Sequence, residues 1–279
     1  LLEDTLKKYD DIKALFLTHA QGINGLTEKI VNLCRDNGIH LIEDVCESHG
    51  VVSENNKKAG SIGDLSCFSF YYAHHMSTIE GGMVCTDDEE KYEVLRMLRS
   101  HGMVREMDNP LRKKIWIDKY KDLNEKFIFT RPAFNLRNNE IGATIGLEQL
   151  KRLDWMVKKR SENFKLFLEL LPDWCYKGFD LEGQSNYAFN LILKEKDECL
   201  MRDLQNRLEK NEIEFRRGSA GGGNQMRQPY VRECFNFTEQ DINKIAPVTD
   251  HIHFYGMYLG NYPELSSESI KEIVKVING

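Results

Sequence analysis

No apolar run in this 279-residue chain approaches the ~20 residues that a membrane-crossing helix requires. The longest, such as Ala14 to Leu17 and Leu65 to Ala73, are strand-sized. Nothing reads as a signal peptide, so the expectation is a cytoplasmic protein with no membrane partner. Positive charge is also in short supply: 38 Lys and Arg stand against 44 Asp and Glu, a net charge of −6. That balance argues against nucleic acid as a partner, and an anionic substrate would need a local basic pocket. Cysteine occurs seven times, at 34, 46, 67, 85, 175, 199 and 234, but never as Cys-x-x-Cys. An odd number scattered through strand-like stretches suits reduced thiols and offers no metal-ligand spacing. Internal repeats and low-complexity segments are absent. So is lysine between Lys58 and Lys91, a gap whose importance depends on what fills it.

The gap holds two strand-like runs, Leu65 to Tyr72 and Met83 to Cys85, separated by His74, His75, Ser77, Thr78 and Glu80-Gly81-Gly82. Read alone, the histidines could be two hydrogen-bonded turn residues. Upstream, Ala14 to His19 reads as a strand, Leu26 to Asn37 as an amphipathic helix closed by Gly38, and His40 to Val45 as a second strand. This is a βαβ unit, and ligands of the parallel sheets so built sit at the strands' carboxyl ends. Asp44 and Glu47 fall at such an end; in isolation they could equally be a solvated acidic loop.

Downstream, Glu89 to Ser100 reads as a helix with acids first and bases last, suited to the helix dipole. It runs into Ser100-His101-Gly102, where His101 has two readings, a substrate contact or a helix cap. Residues 103 to 126 are highly charged and aperiodic, with Asp108-Asn109-Pro110 as a turn signal, and predict a surface excursion. Phe127 to Arg137 is aromatic and basic and leads into one long helix, its apolar stripe running from Ile141 past Leu153 to Met156. After Leu171-Pro172-Asp173 comes a smaller α/β domain, with strands at Tyr187 to Leu193 and Ile213 to Arg217 and helices at Asp197 to Lys210 and Ser267 to Ile277. The glycine-rich run after Arg217 lacks the Gly-Lys-Ser/Thr ending of a nucleoside-triphosphate loop. It reads as a mobile substrate loop among Arg216, Arg217 and Arg227.

Ser69-Phe70, three further residues, His74, five more and then Glu80-Gly81-Gly82 resemble the lysine segment of the DegT-type sugar aminotransferases. These are fold type I pyridoxal-phosphate (PLP) proteins acting on nucleotide-linked keto sugars. The position due to be the Schiff-base lysine is His74. An imidazole is no primary amine and cannot hold the cofactor covalently, but it takes and gives protons near neutral pH. Histidine here marks the family's 3-dehydratase branch, which Gly256-Met257-Tyr258-Leu259-Gly260-Asn261-Tyr262-Pro263 also resembles.

The resemblance implies an α/β, fold type I PLP-dependent transferase with a mainly parallel large-domain sheet and a small C-terminal α/β domain. Residues 1–160 would be the later part of the large domain, an earlier part lying outside this sequence, and 161–279 the small domain. His74 would be catalytic; Asp44, Glu47, Ser69 and Asn135 would bind the cofactor, PLP or its amine, pyridoxamine phosphate. His101, Arg137 and Arg217 would bind substrate; the lesser alternative for Arg137 is an exposed charge at a helix start. The expected partners are a nucleotide-linked keto sugar, an amino donor such as glutamate, and a second copy in a homodimer. Iron–sulfur relatives carry clustered cysteines between 103 and 126; this chain has none there, so no cluster is expected. Two other readings stay open: a sugar aminotransferase using some other lysine, and a non-catalytic nucleotide-sugar-binding relative.

Overall fold

The computed structural model describes residues 2–279. They form two compact units. Residues 2–18, 26–46 and 60–151 make the first, whose sheet has the order β1 (Ala14–Thr18), β2 (His40–Asp44), β3 (Leu65–Ser69), β4 (Gly82–Cys85). The first three strands are parallel and β4 returns antiparallel to β3. After α1 (Leu2–Lys8), the crossover from β1 to β2 is α2 (Glu28–Asp36), started by the Thr27 hydroxyl accepting from the Ile30 N–H. Leu26, Cys34, Ile39 and Leu41 form the small core between this crossover and the sheet, with Leu15 and Leu17 against it.

Asp88 caps α3 (Glu89–Leu98), its carboxylate accepting from the Glu90 and Lys91 N–H groups. The segment after it is not a loose excursion. Asn109 accepts from the N–H groups of Leu111 and Arg112, Pro110 takes the first turn, and α4 (Pro110–Lys119) follows. Asn-Pro signals a helix start as well as a turn, and α4, which buries no residue, has no marked apolar face to announce a helix in the sequence. Val104, Met107 and Ile128 are buried with Met97 in a second core cluster.

The predicted long helix is also two: α5 (Glu140–Leu150) ends in the first unit, and α6 (Leu153–Leu170) opens the main part of the second. No glycine or proline lies between 147 and 156, and the apolar spacing runs through the break in phase.

The second unit comprises residues 19–25, 47–59 and 152–279. Its antiparallel sheet has the order β5 (Ala188–Ile192), β7 (Gly256–Gly260), β6 (Phe215–Arg217). Its helices after α6 are α7 (Glu198–Lys210), α8 (Pro229–Phe235), α9 (Glu239–Ile245), α10 (Pro247–Tyr255) and α11 (Ser267–Asn278). One sheet face, with Phe189, Leu191, Met257 and Leu259, packs into a core with Phe164, Phe167, Leu204, Leu208 and Ile270. The Phe167 and Phe189 rings stack at 4.5 Å.

Candidate active site

β2 ends on two adjacent acids, and strand alternation sends them to opposite faces. Glu43 is fully buried; its carboxylate accepts from the N–H groups of Gly60 (2.9 Å), Ile62 (2.9 Å) and Gly63 (2.6 Å), fixing the turn before β3. Asp44 takes the other face, half-buried, beside Thr18 of β1 and Cys67 of β3. Its Oδ1 accepts the Cys46 N–H at 3.0 Å and its Oδ2 only a long 3.5 Å contact from the Thr18 hydroxyl. A carboxylate has about four acceptor sites, so Asp44 can take another N–H donor at the carboxyl end of a parallel sheet. A protonated pyridine nitrogen is such a donor, and this residue fits the cofactor.

Ser69 ends β3, and its hydroxyl accepts the Tyr71 N–H at 3.3 Å. The chain then leaves the sheet and returns at Gly82, closing a loop by two bonds to one residue. Phe70 donates its N–H to the Gly81 carbonyl and accepts from the Thr78 N–H, both at 2.9 Å. Side chains at Gly81 are excluded, because a Cβ would lie 2.6 Å from the Thr78 Oγ1. Ile79 sits at φ 72°, a strained conformation for a β-branched residue. The loop holds both histidines differently: His75 is buried, whereas His74 is half-buried, its N–H on the Tyr71 carbonyl and its ring edge-on to the Tyr71 ring at 5.5 Å. Of the two histidines, His74 is the less buried.

Residues 98–101 pair with 134–136. The Phe134 and Leu136 N–H groups donate to the Leu98 and Arg99 carbonyls, and the His101 N–H donates to the Phe134 carbonyl at 2.6 Å. Three singled-out residues, His101, Asn135 and Arg137, therefore lie on adjoining segments, with Ser100 bridged to Asn135. The Arg137 guanidinium donates to the Ser100 hydroxyl at 2.5 Å and lies 3.7 Å from Glu106. Ser100 and Glu106 carried no assignment in the sequence reading; the Ser-His-Gly run was the signal that pointed there. The His101 imidazole is exposed. His101 sits in the left-handed region at φ 60° and the Gly102 N–H returns to the Met97 carbonyl, so its main chain closes the helix end while its imidazole takes no part in the cap.

In the second unit, Glu47 accepts the Gln21 N–H at 3.2 Å. The exposed Arg217 donates to the Phe254 carbonyl at 3.2 Å. Arg227 is committed elsewhere: it pairs with Asp250 and with Glu239 (2.8 Å), and stacks on Phe254 at 4.5 Å. The hydrogen bond from Arg227 holds the Asp250 carboxyl below its ordinary range. Asn224, buried, donates to Asp250 at 3.2 Å and receives the Met226 N–H. The glycine-rich run is thus anchored at its far end, contrary to the expectation of a free loop with three available arginines. Asn261 of the Gly-Asn-x-Pro run is likewise buried. Its side-chain amide donates to the Arg160 and Asn186 carbonyls at 2.9 and 2.8 Å, and its main-chain carbonyl accepts from the Arg160 guanidinium. That motif is a packing hub.

The sequence profile of the DegT/DnrJ/EryC1/StrS aminotransferase family matches residues 3–278. The chain belongs to this family. GDP-4-keto-6-deoxy-D-mannose 3-dehydratase of Yersinia pseudotuberculosis is 33% identical over 271 residues, covering 95% of this chain and 66% of that protein. The E. coli GDP-4-keto-6-deoxy-D-mannose-3-dehydratase structure with bound hydrated PLP superposes with a TM-score of 0.81 at 28% identity, covering 98% of this chain and 70% of that one. A structure of GDP-4-keto-6-deoxymannose-3-dehydratase with a trapped PLP-glutamate geminal diamine gives 0.80 at 27%, with the same coverage. The chain spans about two thirds of the length of these relatives. The fold is that of PLP-dependent family members, as the resemblance implied: mixed α/β, with a parallel sheet and its helices.

Proposed function

We propose that the protein is a PLP-dependent 3-dehydratase that removes the C3 hydroxyl of a nucleotide-linked 4-keto-6-deoxyhexose, with pyridoxamine phosphate as the working cofactor. The observation that carries this reading is His74, half-buried on the β3–β4 loop, at the position where the resemblance puts the family's lysine and in a stretch with no lysine between Lys58 and Lys91. Relatives bearing the dehydratase name, one structure with PLP bound and another with a PLP-glutamate adduct, support it. They also support glutamate as amino donor.

When bound, the cofactor supplies an amino group for the sugar ketone and a ring that takes up electron density. Asp44 accepts the pyridine N–H and keeps that nitrogen cationic. Ser69 donates its hydroxyl to the cofactor phosphate, and Glu47 faces the 3-hydroxyl. His74 would take up a proton at the cofactor's C4′ and deliver one to the departing C3 hydroxyl, work suited to an imidazole, whose ordinary pKa is about 6.5. His101, Arg137 and Arg217 bind the anionic substrate. Asn135 serves the cofactor phosphate of a second copy, so the active form is a cytoplasmic homodimer. The apolar surface around Asn135, with Phe134, Leu136 and Ile141 each more than two-thirds exposed, is of the kind that marks a protein–protein contact. The division into a cofactor-binding part, 1–160, and a small domain, 161–279, belongs to the same reading.

The test is to incubate the intact protein with pyridoxamine phosphate, glutamate and GDP-4-keto-6-deoxymannose. Product lacking the C3 hydroxyl is expected, and His74→Asn should lower its formation by roughly 100-fold or more with cofactor affinity kept. An aminated product that keeps its C3 hydroxyl would instead identify an aminotransferase.

A further inference from the structure

A guanidinium recognises an oxygen anion through the direction of its N–H fork, so what holds the Arg137 fork bears on whether this residue can serve a substrate. Its two neighbours in the first unit have no place in the reaction as drawn. Nη2 donates to the Ser100 hydroxyl at 2.5 Å and lies 3.7 Å from the Glu106 carboxylate. Neither Nε nor Nη1 makes a hydrogen bond among the described residues, and the side chain is 52% exposed. One edge of the guanidinium is therefore anchored while the other donors remain for an oxygen anion.

Ser100 and Glu106 are not equal as anchors. Ser100 is buried, its N–H donates to the Met97 carbonyl at 3.0 Å, its own carbonyl accepts the Met103 N–H at 3.1 Å, and it is bridged to Asn135. Its hydroxyl is thus a fixed acceptor, and a hydrogen bond donated by a charged group is stronger than one between neutral groups. At 3.7 Å the Glu106 contact exceeds hydrogen-bond length, and the same carboxylate lies 3.4 Å from Arg105 Nε. A carboxylate beside the guanidinium also repels the anion that Arg137 would bind. Of the two, only Ser100 fixes the guanidinium without offsetting its charge.

We propose that Ser100 is a positioning residue for Arg137, its hydroxyl holding the Nη2 edge so that Nε and Nη1 are left for the anionic oxygens of the substrate. The inference rests on the placement of Arg137 at the substrate in the proposed function. GDP-4-keto-6-deoxymannose is titrated calorimetrically into the intact protein and into Arg137→Ala, Ser100→Ala, Ser100→Cys, Glu106→Gln and the Ser100→Ala/Arg137→Ala double variant. Alanine keeps the main-chain pairing of Ser100, and cysteine also fills its space while offering only a weak acceptor. Melting curves and a parallel titration of pyridoxamine phosphate report any general damage. The expected result is about tenfold weaker sugar binding for Arg137→Ala and about fivefold for both Ser100 variants, with pyridoxamine phosphate affinity kept. Glu106→Gln should bind the sugar as wild type does, or more tightly. In the double variant the serine change adds nothing further, because the group it positions is gone. Full additivity overturns the inference, as do Ser100 variants that bind the sugar like wild type while Arg137→Ala does not. So does a loss of pyridoxamine phosphate affinity in step with the sugar in both Ser100 variants, which makes the residue structural. A loss in Glu106→Gln equal to that in Ser100→Ala gives the positioning to the carboxylate and overturns it as well. If Arg137→Ala itself is indistinguishable from wild type, Arg137 leaves the substrate site and the inference falls with that assignment.

Discussion

In the second unit the inward residues of β5 and β7, Phe189, Leu191, Met257 and Leu259, are 2% exposed or less; in the first, Phe16 of β1 and Met83 of β4 are more than half exposed. Sheets built by βαβ crossovers are ordinarily covered on both faces. Here β1 alternates between half-buried Leu15 and Leu17 and exposed neighbours, and three of the four residues of β4 are exposed. The unit that carries His74 and Asp44 thus has the more open sheet, while the unit that holds Glu47 is closed around aromatic rings. Substitutions should sort accordingly.

The largest effect on stability is expected in the closed core. Phe189→Ala removes a fully buried ring stacked on Phe167 and should lower unfolding free energy by about 3–5 kcal/mol, read by denaturant titration. A loss below about 1 kcal/mol would contradict the picture of a tightly packed second unit.

A smaller effect is expected at the Arg227–Asp250 pair. Asp250→Asn should cost about 2 kcal/mol near neutral pH, as for a charge-assisted hydrogen bond in a partly buried setting. Since the folded protein holds the Asp250 carboxyl below its ordinary range, its contribution is complete above the unfolded value. It is lost as pH falls through the folded one. Wild-type and variant stabilities should therefore converge in acid, below the ordinary carboxylate range. A difference that persists there would assign the effect to packing.

The smallest effect is expected on the open sheet. Met83→Thr, at an exposed position, should change stability by less than about 0.5 kcal/mol. A larger loss in the intact protein would mean that this face is covered there, and would sharpen the contrast into a statement about assembly.

The strands and crossover helix of the first unit were legible from apolar spacing, with most ends within a residue or two of those found; β3 stops at Ser69, three residues short of the expected Tyr72. Also legible was the loop that holds His74, between a strand ending near Ser69 and one returning at Gly82. What stayed hidden depended on partners distant in sequence. Nothing near Glu43 distinguishes it from Asp44; only the three N–H groups of 60–63 assign it to the fold. Arg227 looked as available as Arg217 until Asp250 and Glu239, 23 and 12 residues on, occupied it. The break between α5 and α6 has no local marker at all, and segments 19–25 and 47–59 join the second unit through contacts with residues 183–187.

The central claim is that His74 stands where the family's covalent lysine would be, so the cofactor is held without a bond to the chain. Borohydride reduction of the intact, PLP-loaded protein, followed by peptide mass mapping, tests it most directly. The account predicts no cofactor-labelled lysine in the wild type and a label at position 74 in His74→Lys, whose primary amine restores the nucleophile. A wild-type protein labelled on a lysine, or a His74→Lys variant unlabelled at 74, would contradict it.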